Sequence, residues 1–382
     1  MDKSPNRHID FLDPLRGIAI LLVFIFHSVG PAFGRDELPW GHWFRDFNVS
    51  TPFIFLIPAT FGWVGVAIFF VVSGFCIHLS FSRLPQWSLF FQRRFFRIYP
   101  PYLITLLFFA VIFPTTRLAF TSWHSAGQFV SHLFLFHNID DRSFFGINPS
   151  YWSIAVEVQL YALYPILIML ARRFGWRRTL IGLAMIEITL RFTDGVLFTF
   201  NGTGLPRWIS GSPFFFWFSW SLGASLAERY ICGKKISVSQ ISLYAVGLAA
   251  VAAVFFKPFW SMSFLLFALL TAGVVAKILN QAEPQLSIPI AFKTHLQQVG
   301  IWSFSLYLLH QPFLLAVPML VAKIAPGAHV PPTILFLFCL MLWIFVVPLA
   351  RLCYQFCELP SIALGKNFQA TTAAPKRTSP TR

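Results

Sequence analysis

Long apolar runs dominate the chain, and its charged residues fall mainly between them. A helix crossing the hydrocarbon core of a bilayer needs roughly 20 residues. Runs bounded by charges or Pro/Gly breaks predict about ten such helices: 12–32, 54–82, 98–117, 150–171, 179–197, 212–231, 239–256, 260–279, 299–322 and 333–357. The run 129–136 is too short to span and is expected to lie at the interface or to re-enter. The expected fold class is all-α, a polytopic transmembrane helical bundle. The first run starts near Phe11, holds Arg16 and His27 and lacks a small-residue cleavage site, so it reads as a retained span. Residues 1–365 are expected to form one membrane domain with no attached soluble catalytic domain. Residues 366–382, rich in Thr, Ala, Pro and Lys, are expected to be a disordered cytoplasmic tail.

Composition strengthens the membrane reading. Hydrophobic residues make up 57% of the chain and charged ones 11%, with 47 Phe, against about 25% charged in soluble domains. A soluble fold of this size has no place for so much aromatic surface, whereas lipid does. The net charge of +15 would favour nucleic acid in a soluble protein. Here the basic residues cluster in alternate linkers, as topology signals do, and nucleic acid is not an expected partner. Arg83, Arg93, Arg94 and Arg97 mark the second linker. The fourth carries Arg172, Arg173, Arg177 and Arg178, the sixth Arg229, Lys234 and Lys235, and the eighth Lys293. In the intervening linkers opposite charges nearly cancel. The positive-inside rule then puts both termini in the cytoplasm, as an even number of spans requires. The five Cys are scattered without a CxxC pair, so neither a disulfide framework nor a zinc site is suggested.

Ionisable groups within a span are functional candidates, because each is costly in lipid unless partnered. Arg16 and His27 lie eleven residues apart, which returns them to one helix face within about 20°. Arg16 falls at the cytoplasmic edge and His27 well inside, where a neutral imidazole suits general-base chemistry. The structural alternative is a core histidine bonded to a neighbouring helix. Ser150, Ser153, Glu157, Tyr161 and Tyr164 share another face, with Glu157 at a depth similar to that of His27. A carboxylate orienting an imidazole is a familiar catalytic pairing; an interhelical structural bond is the alternative. Arg93, Arg94 and Arg97 are placed in a cytoplasmic linker, where they either bind phosphates or only set topology. His310, with Ser303, Ser305 and Tyr307 nearby, is expected to line a cavity together with Ser153 and Tyr161. Glu358 is expected to meet cytoplasmic arginines, and Glu187 and Arg191, four residues apart, to satisfy each other. His42, His124, His132 and His137 fall in outer loops as surface or interface residues, with no metal-ligand spacing.

Six segments in order resemble the acyltransferase-3 family of integral membrane acyltransferases, over about Phe11 to Pro360. They are Arg16 with His27, GWVGVAIFFVVSGF at 62–75, RRFFRIYPPY at 93–102, SYWSIAVEVQLYALYP at 150–165, FSLYLLHQPF at 304–313 and ELP at 358–360. The resemblance implies that Arg16 and His27 are essential, that Arg94 and Arg97 help bind acyl-CoA, and that Glu157 is the acidic residue of the fourth-span motif. Members often carry two acidic residues there; this chain has Val158 after Glu157. Some members carry a fused extracytoplasmic hydrolase-like domain, and this chain resembles the stand-alone subgroup.

The expectation from residues and resemblance together is an acyltransferase of the bacterial inner membrane. Acyl-CoA, with acetyl-CoA the default donor, would dock on Arg93, Arg94 and Arg97. His27, oriented by Glu157 and with Arg16 beside it, would serve an acceptor hydroxyl of an envelope glycan or glycolipid, either as base or by carrying the acyl group covalently. No metal is expected. The competing class is a transporter or flippase, which ten spans with buried ionisable groups also fit, although no internal repeat is evident.

Overall fold

The computed structural model describes residues 9–34, 57–118, 122–286 and 289–373. Among them there are helices and no strands. In chain order the helices are α1 (Leu12–Phe33), α2 (Ile57–Arg83), α3 (Trp87–Ile112), α4 (Trp123–Leu133), α5 (Tyr151–Phe174), α6 (Trp176–Asn201), α7 (Trp217–Ile231), α8 (Gln240–Phe255), α9 (Met262–Leu279), α10 (Ile290–Ile301) and α11 (Ser303–Ile324). The last path runs through α12 (Pro332–Met341) and α13 (Trp343–Cys353), one wide turn at Tyr354–Glu358, and α14 (Leu359–Ala373).

Among the described residues seven helical paths are long and apolar enough to cross a membrane: α1, α2, α3, α5, α9, α11 and Pro332–Lys366. The three other expected spans differ for separate reasons. Helix α6 has 26 residues but carries Glu187, Arg191 and Asp194. Helix α7 has 15 residues and is largely buried inside the bundle, and α8 has 16. Helix α3 begins at Trp87 rather than near 98, so Arg93, Arg94 and Arg97 lie on a helix and not in a linker. The backbone stays helical to Ala373, past the boundary drawn at 365 from composition. His42 and the last nine residues, 374–382, lie outside the described residues.

Small residues set the close crossing of α2 and α7. A Cβ on Gly74 of α2 would lie 2.1 Å from the Trp220 carbonyl oxygen of α7, and one on Gly223 would lie 1.9 Å from that of Val71. The two backbones therefore touch, which is how helices gain contact where lipid offers no hydrophobic drive. Prolines within helices leave orphan carbonyls, because the ring removes the N–H that would bond four residues back. Pro100 frees the Phe96 carbonyl in this way, and the Ser361 hydroxyl donates to it. This ties α14 to α3.

The turn after α4 closes one end of the bundle. Tyr99 and Tyr102 of α3 donate to the carbonyls of Leu133 (3.1 Å) and His132 (2.8 Å), and Gln159 of α5 donates to that of Leu135 (2.9 Å). Leu135 takes a φ of 58°, a left-handed conformation rare for leucine. The turn stacks His132 on His137, with ring centroids 3.9 Å apart and planes within 7°. The surface placement expected for these two residues is overturned: both are fully buried. Three of their four ring nitrogens lack a hydrogen bond of normal geometry. Burial pushes the His132 imidazole down to about 4. It lowers His137 as well, with His132 adding to the effect.

A histidine lowered on folding stabilises the fold fully above its unfolded value near 6.5, and that contribution fades as pH falls from there toward the folded value. The melting temperature of the purified protein is expected to drop between about pH 6.5 and pH 4. His137→Phe, which keeps a stacked ring and removes a titrating one, is expected to flatten that drop; an unchanged pH dependence would clear the pair of responsibility.

Candidate active site

Helix α5 carries the polar stripe expected from the spacing, and the structure gives each member a partner on another helix. At its N-terminus the Ser150 hydroxyl donates to the Gln311 side chain and lies 3.4 Å from His310 Nε2. Ser153 Oγ and the Tyr307 hydroxyl are 2.6 Å apart. Glu157 Oε1 accepts from Ser73 and Tyr161, each at 2.5 Å. The Trp220 indole donates to Ser73 Oγ at 3.2 Å, so that hydroxyl is free to point its hydrogen at Glu157. One turn further, the Tyr164 hydroxyl lies 2.9 Å from His78 Nδ1, and His78 Nε2 meets Glu228 at 2.8 Å.

His27 of α1 pairs with His310 of α11 and not with Glu157. His27 Nδ1 and His310 Nε2 are 2.8 Å apart, and the rings stack at 5.0 Å and 27°. Neighbouring acceptors assign the protons. His310 Nδ1 faces the carbonyls of Tyr307 (2.9 Å) and Leu306 (3.2 Å), which can only accept. That nitrogen therefore carries the hydrogen, and Nε2 of the neutral ring offers a lone pair. His27 Nδ1–H must then be the donor, which leaves the lone pair of His27 Nε2 without a hydrogen bond to a described residue. His310 is fully buried and His27 half-buried. The carboxylate expected as the orienting group sits instead with Ser73 and Tyr161, because the α1–α11 crossing brings an imidazole to His27 first.

A cavity of about 100 Å³, partly open to solvent, shares Tyr307 with the surroundings of this pair. Arg16, Arg94 and Arg97 line it, with Ser73, Cys76, Glu157, Tyr161, Ser153 and Tyr307 further along and Val66, Phe69, Phe70 and Phe304 as apolar wall. Arg16 donates to Asp13 (3.0 Å) and to the Cys76 sulfur (3.1 Å). Arg94 donates to Ser80 (2.9 Å), and its Nε has no partner. Arg97 makes no hydrogen bond to a described residue, and it and Arg16 act electrostatically on Glu358. Guanidinium groups with spare donors at a cavity wall suit phosphate or carboxylate ligands. Tyr307 links the two regions: it lines the cavity, and its ring centroid is 5.4 Å from that of His310.

Of the residues singled out from sequence, Arg16, Arg94, Arg97, Ser153, Glu157 and Tyr161 share the cavity. Arg93 does not line it, because it sits one position round the helix from Arg94. Glu358 is buried and accepts from Ser305 at 2.9 Å. His27 and His310 sit behind Tyr307 rather than on the cavity wall. Ser73, His78 and Glu228 were not anticipated, although His78 is a lone ionisable residue in an apolar run, the signal that singled out His27. No group of three or more metal-ligating side chains occurs among the described residues.

A family model described as an acyltransferase domain matches residues 9–350, nearly the whole chain. The chain belongs to the acyltransferase-3 family. Peptidoglycan O-acetyltransferase OatA of Listeria monocytogenes is 23% identical over 345 residues, covering 82% of this chain and 51% of OatA. Acyltransferase MdmB of Streptomyces mycarofaciens is 29% identical over 170 residues, 44% of this chain and 41% of MdmB. The chain thus spans about half the length of the curated relatives it matches. No solved structure matches it. Every cavity arginine falls within the stretch matched to the acyltransferase family, and Glu358 falls just beyond it.

Not every buried charge belongs to this site. Arg191 spends all its nitrogens: Nε on Glu187 (2.9 Å), and the other two on the carbonyls of Ser261 (3.0 Å) and Phe215 (2.7 Å). Glu187 also accepts from Ser219 N and Oγ. Every nitrogen of Arg191 thus has a fixed protein acceptor. Glu187→Ala strands a buried guanidinium and is expected to cost about 3–5 kcal/mol of stability, read as a lowered melting temperature, while the protein that remains folded keeps the unaltered protein's affinity for anionic ligands.

Proposed function

We propose that this protein is a membrane O-acyltransferase that moves an acyl group, acetyl in the first instance, from acyl-CoA to a hydroxyl of a cell-envelope glycan or glycolipid. The observation that carries the proposal is His27, held through Nδ1 by His310, whose ring packs on Tyr307, a residue of the arginine-lined cavity. In this reading the arginine end faces the cytoplasm, as the positive-inside rule requires, and the protein resides in a bacterial inner membrane. Arg94 and Arg97 hold the phosphates of the CoA, and the pantetheine arm runs along Ser73, Glu157 and Tyr161. The thioester stops near Ser153 and Tyr307. The acceptor arrives from the outer side.

His27 Nε2 takes the proton of the acceptor hydroxyl as its oxygen bonds to the thioester carbon. The C–S bond then breaks, and the departing CoA sulfur collects the proton from His27. His310 receives the Nδ1–H throughout, which keeps the ring oriented and shares the charge it gains. The OatA name, peptidoglycan O-acetyltransferase, supports a glycan acceptor.

Purified protein supplied with radiolabelled acetyl-CoA and envelope glycan is expected to label the glycan. His27→Ala should lower turnover by about 10²–10⁴-fold with the fold intact. Arg94→Ala should mainly raise the KM for acetyl-CoA. Substrate flux across vesicles with no consumption of acetyl-CoA would instead make the protein a transporter.

A further inference from the structure

His310 lies between Leu308 and Pro312 on α11. Pro312 has no N–H, so the Leu308 carbonyl loses its partner four residues on. In lipid an orphan carbonyl is expensive. Asn148 fills it: Asn148 Nδ2 donates to the Leu308 oxygen at 2.9 Å. The orientation of the amide is not arbitrary, because its Oδ1 accepts the backbone N–H of Ser150 at 3.0 Å. Asn148 also starts α5, its own carbonyl accepting from Tyr151 N at 3.0 Å. One fully buried side chain therefore begins the Glu157 helix and fastens it to the proline break beside His310. It touches neither His27 nor the cavity wall.

From this geometry we infer that Asn148 is a positioning residue for acyl transfer: by holding the Leu308 carbonyl freed by Pro312, it fixes the stretch of α11 that delivers His310 Nε2 to His27. The inference rests on the acyltransferase reading above. Losing the bond lets the segment from Leu308 to Pro312 relax. Displacement of catalytic groups by about 1 Å can cost about 100-fold in rate, whereas donor binding depends on arginines elsewhere.

The experiment compares wild-type, Asn148→Ala, Pro312→Ala and the double variant, as full-length protein in lipid nanodiscs. Asn148→Ala is expected to lower kcat by about 10–100-fold, to leave the KM for acetyl-CoA unchanged, and to lower the melting temperature. In the double variant the alanine in place of Pro312 offers its N–H to the Leu308 carbonyl. Thermal stability should return while kcat stays low, because the carbonyl is then held by the helix itself and no longer by α5. Pro312→Ala alone should lose kcat without losing stability. Wild-type kcat in Asn148→Ala, or kcat recovered along with stability in the double variant, would overturn the inference and leave Asn148 a structural residue only. A second measurement needs no turnover: the rate at which diethyl pyrocarbonate modifies His27, read by mass spectrometry. It should fall several-fold in Asn148→Ala. If wild-type consumes no acetyl-CoA, the acyltransferase reading fails by itself, and an unchanged modification rate would still overturn the role given to Asn148.

Discussion

Lipid donates and accepts no hydrogen bonds, so each polar side chain below the headgroups has to be satisfied by another helix. In this bundle that requirement fixes which helices meet. Ser150, Ser153, Glu157 and Tyr164 form one stripe on α5, yet they reach three different helices: α11 through Gln311 and Tyr307, and α2 through Ser73 and His78, with α7 closing both α2 contacts through Trp220 and Glu228. The pairing of His27 with His310 adds α1 to the same network. Dispersion and small-residue contacts pack these helices, but they are compatible with several rotations about each axis. The polar stripe selects one rotation, because any other would leave hydroxyls and imidazoles facing lipid.

The buried charges divide by how completely they are satisfied. Arg191 uses all its nitrogens on fixed protein acceptors and lies over the rings of Phe215, Phe216 and Phe264. It ties α6 to the segments that open α7 and α9. Arg94 leaves Nε unpartnered and Arg97 has no hydrogen bond to a described residue, and both face the cavity. An unspent guanidinium donor in such a place costs stability unless an anion arrives. The contrast separates a structural cation from a binding one more sharply than depth or sequence position does.

Sequence periodicity captured what lies on one helix and missed what depends on how helices cross. The face shared by Ser153, Glu157 and Tyr161 and the approach of Arg94 and Arg97 to one wall follow from residue spacing alone. The partner of His27 does not. Similar depth made Glu157 a reasonable choice, but depth is one coordinate, and the crossing of α11 decides the other two. Start and stop signals misled at α3, where the arginines before Ile98 resembled a linker; their long aliphatic stems allow them to sit on a helix and reach inward. Ser73 lies inside an apolar run, and nothing in its spacing marks it as a partner for Glu157. Pro312 two residues after His310 was a signal available in the chain itself, since a helix proline announces a free carbonyl and hence a donor to be found elsewhere.

The choice of an imidazole, rather than a carboxylate, as the partner of His27 has a physical consequence. A carboxylate in this position would place a full charge in a low-dielectric interior, where desolvation costs several kcal/mol unless other donors compensate. Glu157 has such donors in Ser73 and Tyr161; the surroundings of His310 supply carbonyls, which are acceptors. Those carbonyls fix the tautomer of a neutral ring and would repel an anion. The dyad can therefore rest without charge and still present a lone pair at His27 Nε2. Charge develops only as a proton moves onto that atom, which is where differential stabilisation of a transition state has to act.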